Sequence, residues 1–203
     1  MKIYGTTISP FVRSTLVAAH ELGLADRITQ LSEQASPTET NPRLTALSSL
    51  GKVPVLETDH AHAIHDSRVI IEYLCHVAGN SEIIPDDGVK RFKVLTLQAL
   101  GQGLGDAAVS YRYETASRPQ GLQWKEWMER SKQRFNAVFD DLEANWQATL
   151  DTVNAGSITV AAVLAYIDFR MPELNWRNRR PKLAAFHERF SKRDSMVKTA
   201  LAA

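Results

Sequence analysis

Gly51-Lys52-Val53-Pro54-Val55-Leu56-Glu57 sets a proline between two valines of a strand-like run. Proline has no N–H to give a ladder, so it belongs at the start or edge of a strand. Downstream, Asp59 to His62 reads as a turn and Ala63-Ile64-His65 as a short partner strand. Asp66 or Ser67 then caps a helix carrying Val69, Ile70, Tyr73 and Leu74. Upstream, Asn41-Pro42 opens a short helical stretch that closes near Leu50-Gly51, and Arg27 to Leu31 is a weak strand. Lys2 to Tyr4 forms a first strand, and Ser9-Pro10 starts a helix. The Ser9 hydroxyl can accept from the free amides of the first turn, and Pro10 stands where a missing N–H costs nothing. Phe11, Thr15, Ala18 and Leu22 recur at helical spacing, and Gly23 is a C-terminal stop. The order strand, helix, strand, helix, strand, strand, helix makes residues 1–77 an α/β domain.

Residues 78–88 read as a polar linker, with Gly79, Asn80, Pro85, Asp86, Asp87 and Gly88. From 89 to 203 the signals are all helical. Phe92, Leu95, Leu97, Leu100 and Leu104 begin a long amphipathic helix that Arg118-Pro119 ends. Gly101, Gly103 and Gly105 weaken its middle and mark a bend or a close approach of two backbones. Trp124, Trp127, Met128, Ser131, Phe135, Val138, Leu142 and Trp146 keep a 3-and-4 spacing, read as a core-facing stripe. Ile158 to Phe169 is apolar almost all round and predicts a central buried helix; Pro181 to Phe190 and Ser195 to Leu201 are two further helices.

The 203 residues are 44% apolar and 23% charged, which is ordinary for a soluble globular protein. A net charge of +1 gives no general pull toward nucleic acid or an anionic membrane. No apolar stretch reaches the length of a membrane span, and Met1 to Gly5 reads as strand rather than signal peptide, so a cytoplasmic protein is expected. Cys75 is the single cysteine, which excludes an internal disulfide framework and a Cys-x-x-Cys motif.

The sequence resembles the cytosolic glutathione S-transferase family over nearly its whole length. Four places carry the resemblance: Thr7-Ile8-Ser9-Pro10-Phe11-Val12-Arg13; Asn41-Pro42 through Gly51-Lys52-Val53-Pro54-Val55-Leu56; Asp66-Ser67 leading to Ile71-Glu72-Tyr73-Leu74; and Thr159 through Tyr166-Ile167-Asp168-Phe169-Arg170. The Ser-Pro-Phe-Val-Arg start and the Tyr-Ile-Asp-Phe-Arg run are most similar to bacterial members. The resemblance implies an α/β thioredoxin-like N-terminal domain, an all-α C-terminal domain holding a second-substrate pocket, and a two-fold symmetric homodimer. It implies glutathione as co-substrate, with no tightly bound cofactor and no metal, and places Ser9, Phe11, Lys52, Val53, Asp66 and Ser67 at the glutathione site.

The chemistry of glutathione gives several of these residues work. Asp66-Ser67 opens a helix, whose free amides and dipole favour an anion. The Ser67 hydroxyl suits the γ-glutamyl carboxylate and Asp66 the α-ammonium; capping of their own helix is the plain alternative. The resemblance implies a cis bond before Pro54, which would turn the Val53 amide and carbonyl outward to pair with the cysteinyl unit like an added strand. Lys52 suits the glycyl carboxylate or is simply solvated. A free thiol has a pKa near ~8.5, and a hydroxyl donating to the sulfur beside a helix N-terminus favours the thiolate. Ser9 is the candidate for that role, or only a helix cap; Thr6, Thr7 and Tyr4 are rival hydroxyls. A cysteine stands at this position in members that exchange thiols, so serine disfavours that chemistry here.

His60, His62 and His65 tempt a metal reading, but no set of ligands completes them. Tyr111, Arg112 and Arg118 fall where the family places its second-substrate pocket; packing explains them equally. The family often has a Ser/Thr cap with an Asp three residues on at the central buried helix. Thr159 is followed by Ala162, so that reciprocal bond is expected to be missing, with Ser157 as an earlier cap. The leading function is a glutathione transferase acting on small hydrophobic electrophiles in detoxification. A non-catalytic glutathione-fold interaction or regulatory module, and a glutathione-dependent peroxidase or lyase, are the alternatives.

Overall fold

The computed structural model describes residues 1–79, 82–86 and 88–201; Asn80 and Asp87 of the expected linker lie outside them. Four short strands, β1 (Lys2–Tyr4), β2 (Thr29–Leu31), β3 (Val55–Glu57) and β4 (Ala63–Ile64), form a sheet in the order β2-β1-β3-β4. β1 runs parallel to β2 and antiparallel to β3. Neighbouring side chains on a strand face opposite ways, so the sheet buries both faces. Ile3 and Leu56 join Val12 of α1 (Pro10–Glu21) and Ile70 and Leu74 of α3 (Ser67–Ala78). Tyr4 and Val55 pack instead with Leu44 of α2 (Pro42–Leu47). This is the expected thioredoxin-like arrangement. The outer faces of α1 and α3 supply Val17, Ala18, Ile71 and Cys75 to a second, larger core built on the helical region.

That region comprises α4 (Gly88–Ala116), α5 (Lys125–Asn145), α6 (Gln147–Leu150), α7 (Ala155–Arg170), α8 (Pro181–Ser191) and α9 (Asp194–Lys198). α7 is the central helix, buried without a gap from Ala155 to Leu164. The α4 glycines mark a close approach, not a bend. A Cβ on Gly101 would stand 3.2 Å from the Val160 amide nitrogen, and one on Gly105 would stand 2.8 Å from Phe11 Cε1. Gly103 faces open space, and α4 runs unbroken through all three.

Three expectations need correction. α7 begins at Ala155, not Ile158, and its reciprocal cap is present five residues before Thr159. The Asn154 side chain accepts from the Ser157 amide at 3.0 Å, and the Ser157 hydroxyl accepts from the Asn154 amide at 2.9 Å. The segment after Gly79 is not simply polar: Ile83 and Ile84 are buried in the helical core, and the Ile83 carbonyl accepts from Ala155 at 2.8 Å. The aromatic stripe is core at Phe135 and Leu142, but Trp124 stands just before α5 and is 63% exposed.

α9 returns to α1. Arg193 grips the Glu21 carboxylate with Nε at 2.8 Å and Nη2 at 2.7 Å, and Ser195 Oγ adds a third bond. The hydrogen bonds of Arg193 hold Glu21 below the usual carboxylate range despite partial burial. The buried Arg13 guanidinium donates to the Met196 carbonyl at 3.1 Å, and Thr7 Oγ1 donates to the Ala200 carbonyl at 3.2 Å.

Candidate functional site

The N-termini of α1 and α3 and the turn into β3 provide the expected site residues. Ser9 is the N-cap of α1, with Pro10 at the first helical position. Its Oγ accepts from the Val12 amide at a long 3.4 Å, and its O–H has no acceptor among the described residues. A hydroxyl can accept and donate at once, so capping leaves the proton available. The rival hydroxyls differ. Tyr4 donates to Glu57 at 2.7 Å and Thr7 to Ala200, so both are committed elsewhere; the Thr6 hydroxyl makes no bond among the described residues. Phe11 is half-buried, with its ring edge against Gly105 of α4.

The Val53–Pro54 peptide is cis. Neither the Val53 amide nor its carbonyl has a partner among the described residues. Lys52 is exposed and makes no ion pair among them. Asp66 is the N-cap of α3 and accepts from the Arg68 amide at 3.0 Å; Arg68 Nη2 meets the carboxylate at 3.0 Å as well. Burial pushes the Asp66 pKa up, but the hydrogen bonds and charge of Arg68 outweigh it and hold the group below its ordinary value. Ser67 is buried, its hydroxyl donating to Gln102 Oε1 at 3.2 Å, and its own amide has no partner among the described residues.

Two α4 residues that the sequence reading passes over stand at this site. Gln102 is tied to Ser67, and Asp106 follows one turn later on the same face. Burial raises the Asp106 pKa; Lys52 opposes the shift, and Asp66 adds to it. The signal that could have found them is the polar i, i+4 spacing beside the α4 glycines.

Farther along α4, a cleft of about 750 Å³ opens between Pro37-Thr38 and the end of the helix. Ser110, Tyr113, Glu114, Arg118, Trp124 and Trp127 line it, with Leu122 and Pro119. Tyr111 and Arg112 do not. Tyr111 is buried, packed edge-on against Phe135 at 5.6 Å, so packing explains it. Arg112 lies toward Tyr166, whose hydroxyl burial pushes up to about 12. His60, His62 and His65 are exposed around the β3–β4 turn, and no group of three metal-ligating side chains gathers among the described residues. No described helix is long and apolar enough to cross a membrane.

Residues 8–77 match the family description "Glutathione S-transferase, N-terminal domain", and residues 125–189 match "Glutathione S-transferase, C-terminal domain". The chain belongs to the glutathione S-transferase family. It is 30% identical over 203 residues to an uncharacterized GST-like protein, YibF, of Escherichia coli (strain K12), with 98% of each chain covered. It superposes on a glutathione transferase family member from Pseudomonas fluorescens Pf-5, solved with bound glutathione, at a TM-score of 0.97, 36% identity and coverage of 100% and 99%. A glutathione S-transferase from Methylobacillus flagellatus KT, solved with glutathione bound, matches at a TM-score of 0.87, 28% identity and coverage of 99% of each chain. In this transferase-family chain, the open Val53 backbone and the two helix N-termini lie in the N-terminal domain's matched segment.

Proposed function

We propose that this chain is a glutathione transferase that joins the sulfur of glutathione to small hydrophobic electrophiles. The observation that carries the reading is the Val53 backbone: its amide and carbonyl have no partner among the described residues, and its side chain packs against the cluster that holds Val12 and Ile70 of the first turns of α1 and α3. A tripeptide with an anionic end and an extended middle suits that arrangement. The relatives solved with glutathione bound support the same ligand.

In this reading Val53 pairs with the cysteinyl unit. The γ-glutamyl carboxylate meets the Ser67 amide, which has no partner among the described residues, and takes the Ser67 hydroxyl in exchange for Gln102; Asp66 takes the α-ammonium in exchange for Arg68. Lys52 meets the glycyl carboxylate, and Phe11 forms an apolar wall. The Ser9 O–H donates to the sulfur and favours the thiolate, which is the nucleophile. The cleft beside Tyr113 and Trp124 receives the electrophile, so proximity adds to activation. Residues 1–77 form the glutathione-binding domain, 78–88 the connection and 89–203 the helical domain. The chain works as a detoxifying cytoplasmic homodimer; exposed Leu50, Val69, Val89 and Phe92 supply apolar surface for the contact.

The test is calorimetry with glutathione, paired with conjugation of 1-chloro-2,4-dinitrobenzene by the parent chain and Ser9→Ala. Ser9→Ala should bind glutathione and lose roughly ten-fold in turnover near neutral pH, as one unit of thiol pKa predicts. No binding at millimolar glutathione refutes the function; unchanged turnover in Ser9→Ala removes Ser9 from its role. Sedimentation showing monomer alone refutes the dimer.

A further inference from the structure

The wall of the cleft on the α5 side is held by one carboxylate. Glu114 lies near the end of α4 with its side chain only 11% exposed. Its Oε1 accepts from the Trp124 amide at 2.7 Å, and its Oε2 accepts from Arg118 Nε at 2.7 Å. Trp124 stands at the N-cap position of α5, where its own side chain offers no cap. Glu114 therefore fixes the backbone of an indole that is 63% exposed at the mouth of the cleft. The Trp124 amide bond, aided by Arg118, keeps the Glu114 carboxyl below its ordinary pKa, so it stays ionised.

The second consequence is electrostatic. Glu114 and Arg118 are the charged residues lining the cleft, and they are bonded to each other. Their charges cancel. What remains for a ligand is aromatic surface from Trp124, Trp127 and Tyr113, with the Ser110 hydroxyl among them. A neutral planar ring fits this surface without cost to the pair. An anionic ring of the same shape gains little net attraction from Arg118, because the carboxylate bonded to its Nε offsets the guanidinium charge.

We propose that Glu114 is a positioning and specificity-determining residue of this cleft, which fixes Trp124 and neutralises Arg118 so that neutral planar aromatic compounds are preferred to anionic ones of the same shape. The inference rests on reading the cleft as the second-substrate pocket. Glu114→Gln keeps an acceptor for the Trp124 amide and frees the charge of Arg118. Arg118→Gln leaves Glu114 unpaired and has the opposite effect.

The test titrates 1-naphthol and 1-naphthoate by tryptophan fluorescence at pH 7 without glutathione, and repeats the comparison kinetically with 1-chloro-2,4-dinitrobenzene and its carboxylated analogue. The parent chain should prefer naphthol. Glu114→Gln should move the ratio toward naphthoate by roughly three- to ten-fold, Arg118→Gln should move it away, and the double variant should return near the parent ratio. Glu114→Ala, which loses the Trp124 bond as well, should raise KM for the electrophile and leave KM for glutathione unchanged; damage to the fold would move both. An unchanged ratio in Glu114→Gln, a shift that survives in the double variant, or a shift of the same sign in Arg118→Gln overturns the proposal. Naphthol binding without conjugation refutes the transferase reading and leaves this one standing. Conjugation with no binding of either naphthyl probe does the reverse.

Discussion

A methyl group on Gly156 would stand 2.7 Å from Leu97 Cβ and 2.8 Å from its Cγ. Gly156 sits in the first turn of the buried α7, and Leu97 on α4 is itself fully buried. α4 and α7 approach so closely because each presents a glycine to the other's side chains, with Gly101 meeting Thr159 and Val160. Gly156→Ala should therefore destabilise the chain by about 1–3 kcal/mol through overpacking. Gly103→Ala, on the same helix but facing open space, should instead stabilise it by about 0.5–1 kcal/mol. Urea midpoints at constant m-value read both.

Asn154 caps α7 and also donates from Nδ2 to the Thr149 carbonyl at 2.7 Å. Asn154→Ala removes both roles in a buried place and should cost about 2 kcal/mol. Asn154→Asp keeps the accepting oxygen for the Ser157 amide and should recover part of the loss in thermal unfolding.

His187 is buried beside Asp168 and Arg177. Arg177 Nη2 can only donate, so His187 Nδ1, at 3.2 Å, accepts and the ring is neutral. Burial first, then Arg177, lowers its pKa from 6.5 to about 4, although Asp168 opposes the shift. Between those values the unfolded chain holds a proton the folded chain lacks. Stability is therefore fully present above pH 6.5 and falls as pH drops toward 4. His187→Gln should flatten this part of the stability profile, removing a loss on the order of 3 kcal/mol, as read by denaturation at stepped pH.

Burial pushes the Cys75 thiol up to about 11. Iodoacetamide at pH 8 should modify native protein roughly two orders of magnitude more slowly than the unfolded chain. Cys75→Ala should leave conjugation unchanged; equal labelling of folded and unfolded protein would contradict the burial.

Most of the α/β half was legible because its signals are local. Ser9-Pro10, Asn41-Pro42 and Asp66 are caps readable from short segments, and each starts its helix in the structure. The apolar run opens at Ile158 and makes Ser157 the apparent cap, but the helix starts three residues earlier: Asn154 is the N-cap and Ser157 its reciprocal partner at the third helical position. The buried Thr159 spends its hydroxyl on the Ala155 carbonyl at 2.8 Å. Periodicity could not separate Tyr111, in the core, from Tyr113, at the cleft, because both follow the same α4 run and only tertiary packing divides them. Trp124 fits the α5 stripe by spacing, yet Glu114 draws its amide across the turn from α4, a bond that follows no helical or strand period.

The grip of Arg193 on Glu21 joins residues 172 positions apart. During synthesis α1 leaves the ribosome long before α9, so this grip can form only after the whole helical region between them has been made. Until then Arg13 lacks the Met196 carbonyl it donates to, while Val17 and Ala18 already have α7 of the helical core to join. The N-terminal domain is therefore complete only once α9 has been made, and its burial of Arg13 depends on the far side of the sequence.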